Sequence, residues 1–425
     1  QYVLGRWGFR GLDLAVDRRA LIPRPETETL AGAVIDWLRG EVRSRRAGGT
    51  AGGTASLQVA DLGTGCGAVA LAIAQEVPEA TVHAADCSAD ALELAGENLA
   101  GLGRAGARVT IARGDWFEAI DPTLDERLDA VVSNPPYVAD DEPLPPEVSD
   151  WEPHLALRAG EDGLACLGLL VSGARARLRP GGLLALECAP DQTAALVALA
   201  SARGYDDVEV LDDLAGRPRV VTAHRPAADP PAHQLLSAVR AVRAGGFVVA
   251  PTDTVCGVLA DYANTAALRR VYAAKRRPES MPVPVLVSGI DQAEQLVMLG
   301  DEALEMAQRY WPGALTLVAP RRAAADVGGD GAAAGSTLGV RVPDLGWLRW
   351  LASETGPLTG TSANCHGADT LSEAAAAARS LAKPAAHVMD GSAPGGAAST
   401  VVDVCGRRPT VLREGALCSA DLARQ

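Results

Sequence analysis

Two groups of residues in this 425-residue sequence have the types and spacing to do chemistry. The first joins Asp61-Leu62-Gly63-Thr64-Gly65-Cys66-Gly67 to Asn134-Pro135-Pro136-Tyr137. Glycines at this spacing let a backbone turn sharply and approach a ligand closely, because they reach positive φ without a Cβ clash. Alone, the loop is ambiguous: Gly63, Gly65 and Ala68 also fit the dinucleotide pattern GxGxxG/A, and a tight turn without any ligand is the plainer alternative. Asn134 to Tyr137 discriminate. Two prolines fix φ and remove backbone donors. What remains is an acceptor-rich edge, the Asn134 side-chain oxygen and the Pro135 carbonyl. A planar NH₂ group carries two donors and can satisfy both. Holding that nitrogen in line with a methyl donor is a proximity and orientation effect. Tyr137 is suited to stack on or wall the planar group.

The second group is looser. Pro251-Thr252-Asp253-Thr254 brings hydroxyls to the end of an apolar run, Lys275-Arg276-Arg277 ends a helical pattern, and Thr361-Ser362-Ala363-Asn364 follows another short apolar run. Cations suit a helix C-terminus without any ligand. Lys as a point charge and Arg as a fork also suit phosphate oxygens.

The elements that must position these residues alternate. Leu57–Leu62 reads as a strand and 68–76 as a helix, then 81–86 as a strand and 89–102 as a helix. Further strands are expected at 108–113, Leu128–Ser133 and 182–187, with helices at 163–178 and 193–203. This alternation predicts an α/β fold with a doubly wound, mostly parallel sheet, which binds ligands beyond the carboxyl ends of its strands. Asp86 then ends the second strand, where a carboxylate accepts hydrogen bonds from two ribose hydroxyls. In the second half, helices at 235–244 and 265–275 and strands at 247–251, 283–287, 315–319, 338–342, 399–404 and 410–413 predict an α/β domain with a mixed sheet. Stretches 43–56 and 321–336 are small, polar and Gly-rich and read as flexible insertions. His224–Gln234 is rich in Pro and Ala and reads as the connector, giving domains at 1–224 and 235–425 with a linker at 225–234.

Composition bounds the rest. Hydrophobic residues make up 48% and charged residues 22%, enough for sizeable cores, and with aromatics at only 4% Ala, Leu and Val must fill them. The net charge of -14 disfavours broad nucleic-acid binding. Eight cysteines are scattered without a CxxC pair, so neither a zinc site nor a disulfide framework is expected. No apolar run reaches membrane-spanning length and no signal-peptide pattern opens the chain, so a cytoplasmic location without membrane partners is expected. The chain begins with Gln rather than Met, from which a missing upstream segment is expected.

Taken together, Leu21-Ile22-Pro23-Arg24-Pro25-Glu26-Thr27-Glu28, the glycine loop, Asp115-Trp116, Asn134–Tyr137 and Glu152-Pro153 resemble the HemK/PrmC family of protein-glutamine N-methyltransferases. The resemblance runs from Gln1 to about His224. It implies S-adenosylmethionine as methyl donor, contacted by Asp61, Gly63, Gly65, Gly67, Asp86, Asp115 and Trp116. It implies that Asn134, Pro135, Pro136 and Tyr137 hold a glutamine amide of a peptide-chain release factor. The family's N-terminal helical domain is expected to be absent. Adenine amino-methyltransferases of nucleic acids share the Asn-Pro-Pro-Tyr clamp and are the alternative. They need a flipped base and a basic duplex-binding surface, which the acidic charge disfavours.

The ordered motifs PTDT, KxR, WPGxLT, RVP, SAN, STVVD and LRxG, over about 235–417, resemble the YrdC-like threonylcarbamoyl-AMP synthases. The resemblance implies an ATP site lined by Lys275, Arg277, Arg341, Ser362 and Asn364. Thr252, Thr254, Ser399 and Arg413 would frame threonine and the carbamoyl-adenylate. The implied substrates are threonine, bicarbonate and ATP with Mg²⁺, and tRNA is involved only through downstream enzymes. Cys256, Ser288, Ala314 and Glu414 depart from the family pattern. A noncatalytic RNA-binding module is disfavoured by the acidic chain. The carbamoyl-transfer domain of a hydrogenase-maturation enzyme would need CxxC zinc fingers that are absent.

Overall fold

The computed structural model describes residues 2–47, 56–322, 336–406, 408–418 and 422. The chain divides into two compact units, 1–200 with 205–228, and 201–204 with 229–425. Among the described residues, no helix is long and apolar enough to cross a membrane.

The first unit opens with an antiparallel hairpin, β1 (Arg6–Phe9) and β2 (Leu12–Ala15), followed by α1 (Thr27–Ala47). Then come β3 (Leu57–Leu62), α2 (Ala68–Glu76), β4 (Ala80–Asp86), α3 (Ala89–Ala100), β5 (Val109–Arg113) and β6 (Leu128–Ser133). The short α4 (Pro146–Ser149), α5 (Ala165–Arg177), β7 (Leu178–Glu187), α6 (Thr193–Ala202), β8 (Asp206–Asp212) and β9 (Pro218–His224) complete it. Seven strands form one sheet in the order β5-β4-β3-β6-β7-β9-β8. The five strands from β5 to β7 are parallel, whereas β9 is antiparallel to both β7 and β8. Strands buried on both faces read as near-continuous apolar runs, and every residue of β6 is buried. One apolar cluster joins Leu30, Val34, Ile35 and Leu38 of α1 to α2 and the hairpin, while the other packs Leu167, Leu170 and Val171 of α5 and Leu196 of α6 against the opposite face.

Two expectations change here. Arg43–Ala47 is not the start of an insertion but the last turn of α1, where Arg45 and Arg46 complement the helix C-terminus. Arg46 also pairs with Glu79 at 2.6 Å and Arg45 with Asp129. The remainder of that insertion, 48–55, and 323–335 of the second one lie outside the described residues. The connector is also shorter than its composition suggests, since His224 ends β9 and a helix begins at Ala232.

The second unit contains α7 (Ala232–Arg243), β10 (Val248–Ala250), β11 (Gly257–Leu259), α8 (Thr265–Lys275), β12 (Val285–Leu286), α9 (Ile290–Leu296) and α10 (Asp301–Tyr310). It continues with β13 (Leu315–Pro320), β14 (Thr337–Arg341), α11 (Gly346–Thr355), β15 (Leu358–Thr359), β16 (Thr361–Ser362), α12 (Ala374–Ser380), β17 (His387–Val388), β18 (Thr400–Asp403) and β19 (Thr410–Arg413). Instead of one mixed sheet there are two, β16-β11-β10-β17 and β15-β12-β14-β13-β18-β19. Gly360 lets the chain pass from one to the other. A Cβ there would stand 2.8 Å from the Leu286 side chain, so no larger residue fits without a shift.

Candidate functional site

In the first unit the order of parallel strands reverses beside β3, with β4 on one side and β6 on the other. A crevice opens at the carboxyl ends of strands at such a switch point. The glycine loop follows β3, Asp86 ends β4, Gly114 to Trp116 follow β5, and Asn134 to Tyr137 follow β6. Asp61, Gly63, Gly65, Asp86, Asp115, Trp116, Asn134 and Pro136 line one cavity together with Thr27 and Arg158. Gly67, Pro135 and Tyr137 are not part of that wall.

The loop is shaped from below. Gly63, Gly65 and Gly67 have φ of 71°, 57° and 88°, a region that side-chain-bearing residues reach at a cost. Asp61 is buried, and its Oδ2 accepts from Thr64 Oγ1 at 2.6 Å and from the Ala70 N–H at 3.1 Å. Burial pushes its pKa up to about 6, against the pull of those two bonds and with a further upward push from Asp86. Asp61 therefore braces the loop as well as facing the cavity. Asp86 accepts from the Gly65 N–H and the Ser88 N–H, one on each oxygen and both at 2.9 Å. Each carboxylate oxygen keeps a lone pair for a ligand hydroxyl. Trp116 is held at φ 44°, strained for a bulky residue, and its ring lies 3.5 Å from where a Cβ on Gly63 would stand.

Residues beyond the glycine and proline motifs hold the clamp. Ser133 donates to the Leu62 carbonyl at 2.6 Å and ties the end of β6 to β3. Asn134 Nδ2 donates to Thr27 Oγ1, the first residue of α1, at 3.1 Å. The Tyr137 hydroxyl donates to Glu187 Oε1 at 3.4 Å, so Tyr137 points into the fold rather than walling the cavity. Glu187 is fully buried at the end of β7, and burial raises its pKa to about 7. The PRPETE segment is tied to Glu152-Pro153 by Arg24 Nη2, which donates to both Glu152 oxygens at 2.6 and 2.7 Å.

The second unit brings its expected residues into three groups. Arg341, nearly buried, donates to Thr254 Oγ1 at 3.1 Å, to Asp253 Oδ2 at 2.5 Å and to the Gly313 carbonyl at 2.8 Å. Thr252 Oγ1 lies 3.2 Å from Thr254 Oγ1. Lys275 is buried, and its ammonium donates to the Ser362 carbonyl, to the Asn364 carbonyl at 2.7 Å and to Asn364 Oδ1 at 3.2 Å. Burial lowers its pKa to about 8, and the positive charge of Arg277 adds to the effect. Three acceptors use all three ammonium donors, so Lys275 acts as a strut for the Thr361–Asn364 loop. Ser362 Oγ donates to Asn364 Oδ1 at 2.6 Å, and Arg277 donates to the Pro282 carbonyl at 2.8 Å. Ser399 meets Thr316 Oγ1 at 2.8 Å, and Arg413 donates to the Ser399 carbonyl at 2.8 Å. Of the departures, Cys256 is buried in an apolar cluster with its thiol 2.9 Å from the Ser372 carbonyl. Ser288 is buried, and its N–H donates to Gln292 Oε1 at 2.8 Å.

Comparison with known proteins gives matches to both halves. A family model described as a methyltransferase small domain matches residues 51–144, and the Sua5/YciO/YrdC model, described as telomere recombination, matches residues 240–415. The release factor glutamine methyltransferase of Xylella fastidiosa is 44% identical over 226 residues, covering 53% of this chain and 76% of that protein. The enzyme of the same name from Cereibacter sphaeroides is 42% identical over 228 residues, covering 53% and 74%. Among solved structures, P. abyssi Sua5 complexed with L-threonine is 30% identical with a TM-score of 0.42, and the match covers 44% of this chain and 56% of that one. Through its first half the chain belongs to the release factor glutamine methyltransferase family, and it carries a Sua5/YrdC domain toward its C-terminus.

Proposed function

We propose that the first unit methylates the side-chain amide of a glutamine in peptide-chain release factors, and that the second makes threonylcarbamoyl-AMP from threonine, bicarbonate and ATP for a tRNA-modifying enzyme downstream. The observation that carries the first reading is that the Asn134 side chain opens on the same cavity as Gly63, Gly65, Asp86 and Trp116. These residues fit S-adenosylmethionine: two positive-φ glycines admit a close ligand, a carboxylate with spare lone pairs meets its ribose hydroxyls, and an indole walls the cavity. When bound, it supplies an electrophilic methyl group. Asn134 Oδ1 and the Pro135 carbonyl accept the two N–H bonds of the target amide and fix its nitrogen toward the cavity.

Support for the second reading is the family match over 240–415 and the ordered motifs within it. Threonine carbamate would attack the α-phosphate, with pyrophosphate leaving. Arg341 and Arg277 are the guanidinium groups suited to the phosphates of ATP, and Arg413 would help to frame threonine and the carbamoyl-adenylate. Mg²⁺ would reach the site with the triphosphate of ATP.

Two results test this. Asp86→Ala is expected to weaken S-adenosylmethionine binding by roughly 10- to 100-fold, since charge-assisted hydrogen bonds are worth about 1.5–3 kcal/mol. Titration calorimetry checks it, and a drop in NAD affinity instead would point to dinucleotide chemistry. The chain should release pyrophosphate from ATP only when threonine and bicarbonate are both present, and threonine-independent release would contradict the second reading.

A further inference from the structure

A clamp built on one asparagine has an orientation problem. Its amide oxygen and nitrogen are nearly isosteric, so nothing in the shape of Asn134 decides which faces the cavity. Facing inward, the oxygen accepts from the target NH₂. Facing inward, the nitrogen opposes donor to donor. Something behind the clamp must choose.

The register of the sheet puts a candidate there. Ser133 of β6 lies opposite Leu186 of β7, so the residues one step on, Asn134 and Glu187, leave adjacent strands at the same edge. Glu187 has no exposed surface. Its Oε1 accepts from the Tyr137 hydroxyl at 3.4 Å, while its Oε2 is buried without a hydrogen bond of ordinary geometry. The Thr27 hydroxyl is near enough to Glu187 to hold its pKa down, and the same hydroxyl oxygen accepts from Asn134 Nδ2 at 3.1 Å. An ionised carboxylate only accepts, and a threonine hydroxyl has one proton to give.

We infer that Glu187 is a positioning residue that acts through Thr27: by accepting the hydrogen bond of the Thr27 O–H it leaves that oxygen's lone pairs to accept from Asn134 Nδ2, which turns Asn134 Oδ1 toward the target amide. This rests on the methyltransferase reading above. Glu187 is not on the cavity wall. The buried Oε2, without a partner of its own, is the oxygen open to the Thr27 hydroxyl.

The relay has a consequence in pH. Burial raises the Glu187 pKa to about 7; the Thr27 hydroxyl, Arg219 and Tyr137 pull it down, and Glu26 pushes it up. Arg219 is itself shared, lying 3.4 Å from Glu26 and 4.0 Å from Asp213. The carboxylate is ionised above about 7 and becomes a donor below it, so a raised pKa places the loss of function on the acid side. Protonated Glu187 can donate to Thr27 and release Asn134 to turn.

The test measures methyl transfer to a purified release factor by the full chain between pH 6 and 8.5, with S-adenosylmethionine affinity determined in parallel. Wild-type kcat is expected to fall about tenfold from pH 8 to pH 6, as one ionisation near 7 requires. Glu187→Gln should lose at least about tenfold in kcat at pH 8, lose the acid limb, and bind S-adenosylmethionine within about twofold of wild type. Thr27→Val should match it, and Thr27→Ser should restore activity because it keeps the hydroxyl. If wild type transfers methyl groups and Glu187→Gln or Thr27→Val keeps both its rate and its acid limb, the relay is wrong. A Glu187→Gln chain too unstable to bind the donor leaves the Thr27 pair to decide on the same terms. If wild type transfers no methyl group to the release factor, it is the proposed function that fails.

Discussion

Asn134→Ala is expected to lower methyl transfer by roughly 30- to 1000-fold while leaving S-adenosylmethionine affinity within about twofold. The substitution removes the acceptor that holds the target amide, and loss of one preorganised hydrogen-bonding group in an active site costs about 2–4 kcal/mol in the barrier. It does not touch what shapes the donor's side of the cavity. Asp86 stays bonded to Gly65 and Ser88, and Asp61 to Thr64 and Ala70. Inside the fold it costs little, because Asn134 Nδ2 has a single partner, the Thr27 hydroxyl. Kinetics with saturating donor, set beside titration calorimetry, check this. Equal losses in donor affinity and turnover would mean that Asn134 belongs to the donor's site instead.

Lys275→Ala is expected to reduce pyrophosphate release by at least about 100-fold and to lower the stability of the second unit in the same stroke. A phosphate counter-ion at the surface would show only the first effect. Here the ammonium is buried on the carbonyls of Ser362 and Asn364, and its removal leaves the buried Asn364 carbonyl unpaired at about 1–3 kcal/mol, while the Ser362 carbonyl keeps only the Asn364 N–H at 3.1 Å. The Thr361–Asn364 loop would lose its brace, and Ser362 and Asn364 would lose their placement. Lys275→Arg is not expected to rescue, because a planar fork does not reproduce the three directions of an ammonium. Thermal unfolding and a pyrophosphate assay on the same preparation separate the cases: a variant with unchanged melting and no activity would restore a direct role on phosphate.

Much of the first unit was legible in the residues. β3 and β6 are short apolar runs between turn signals, and burial on both faces makes such runs conspicuous. Their carboxyl ends are marked by residues with special backbone demands, Gly63, Gly65 and Pro135. The last two strands were missed. β8 is mostly exposed and has no clean apolar alternation, and the pairing of β9 against β7 is antiparallel where the pattern implied continuation. The end of α1 is hard to read from composition, because its arginine-rich last turn resembles a polar linker.

The legibility of the sites divides along the same line. Glycine and proline announce themselves through conformation, whereas Thr27 and Glu187 do not. A hydroxyl and a carboxylate 160 positions apart acquire meaning only from the start of α1 and the register of β7 on β6. Lys275 shows the converse: a KxR motif at a helix end reads as phosphate-binding, and only the fold reveals that its charge is turned inward. Tyr137 was expected to wall the amide and instead anchors the clamp from behind. In the second unit, two sheets replace the single one expected, because two-residue strands such as β15 and β16 leave no periodicity to read.

The most direct test of the central claim is to incubate the full chain with a purified peptide-chain release factor and methyl-labelled S-adenosylmethionine, then locate the label by mass spectrometry. The account predicts one added methyl group on the side-chain nitrogen of a glutamine, absent with Asn134→Ala. Label on a nucleic acid instead, with the release factor unmodified, would contradict it.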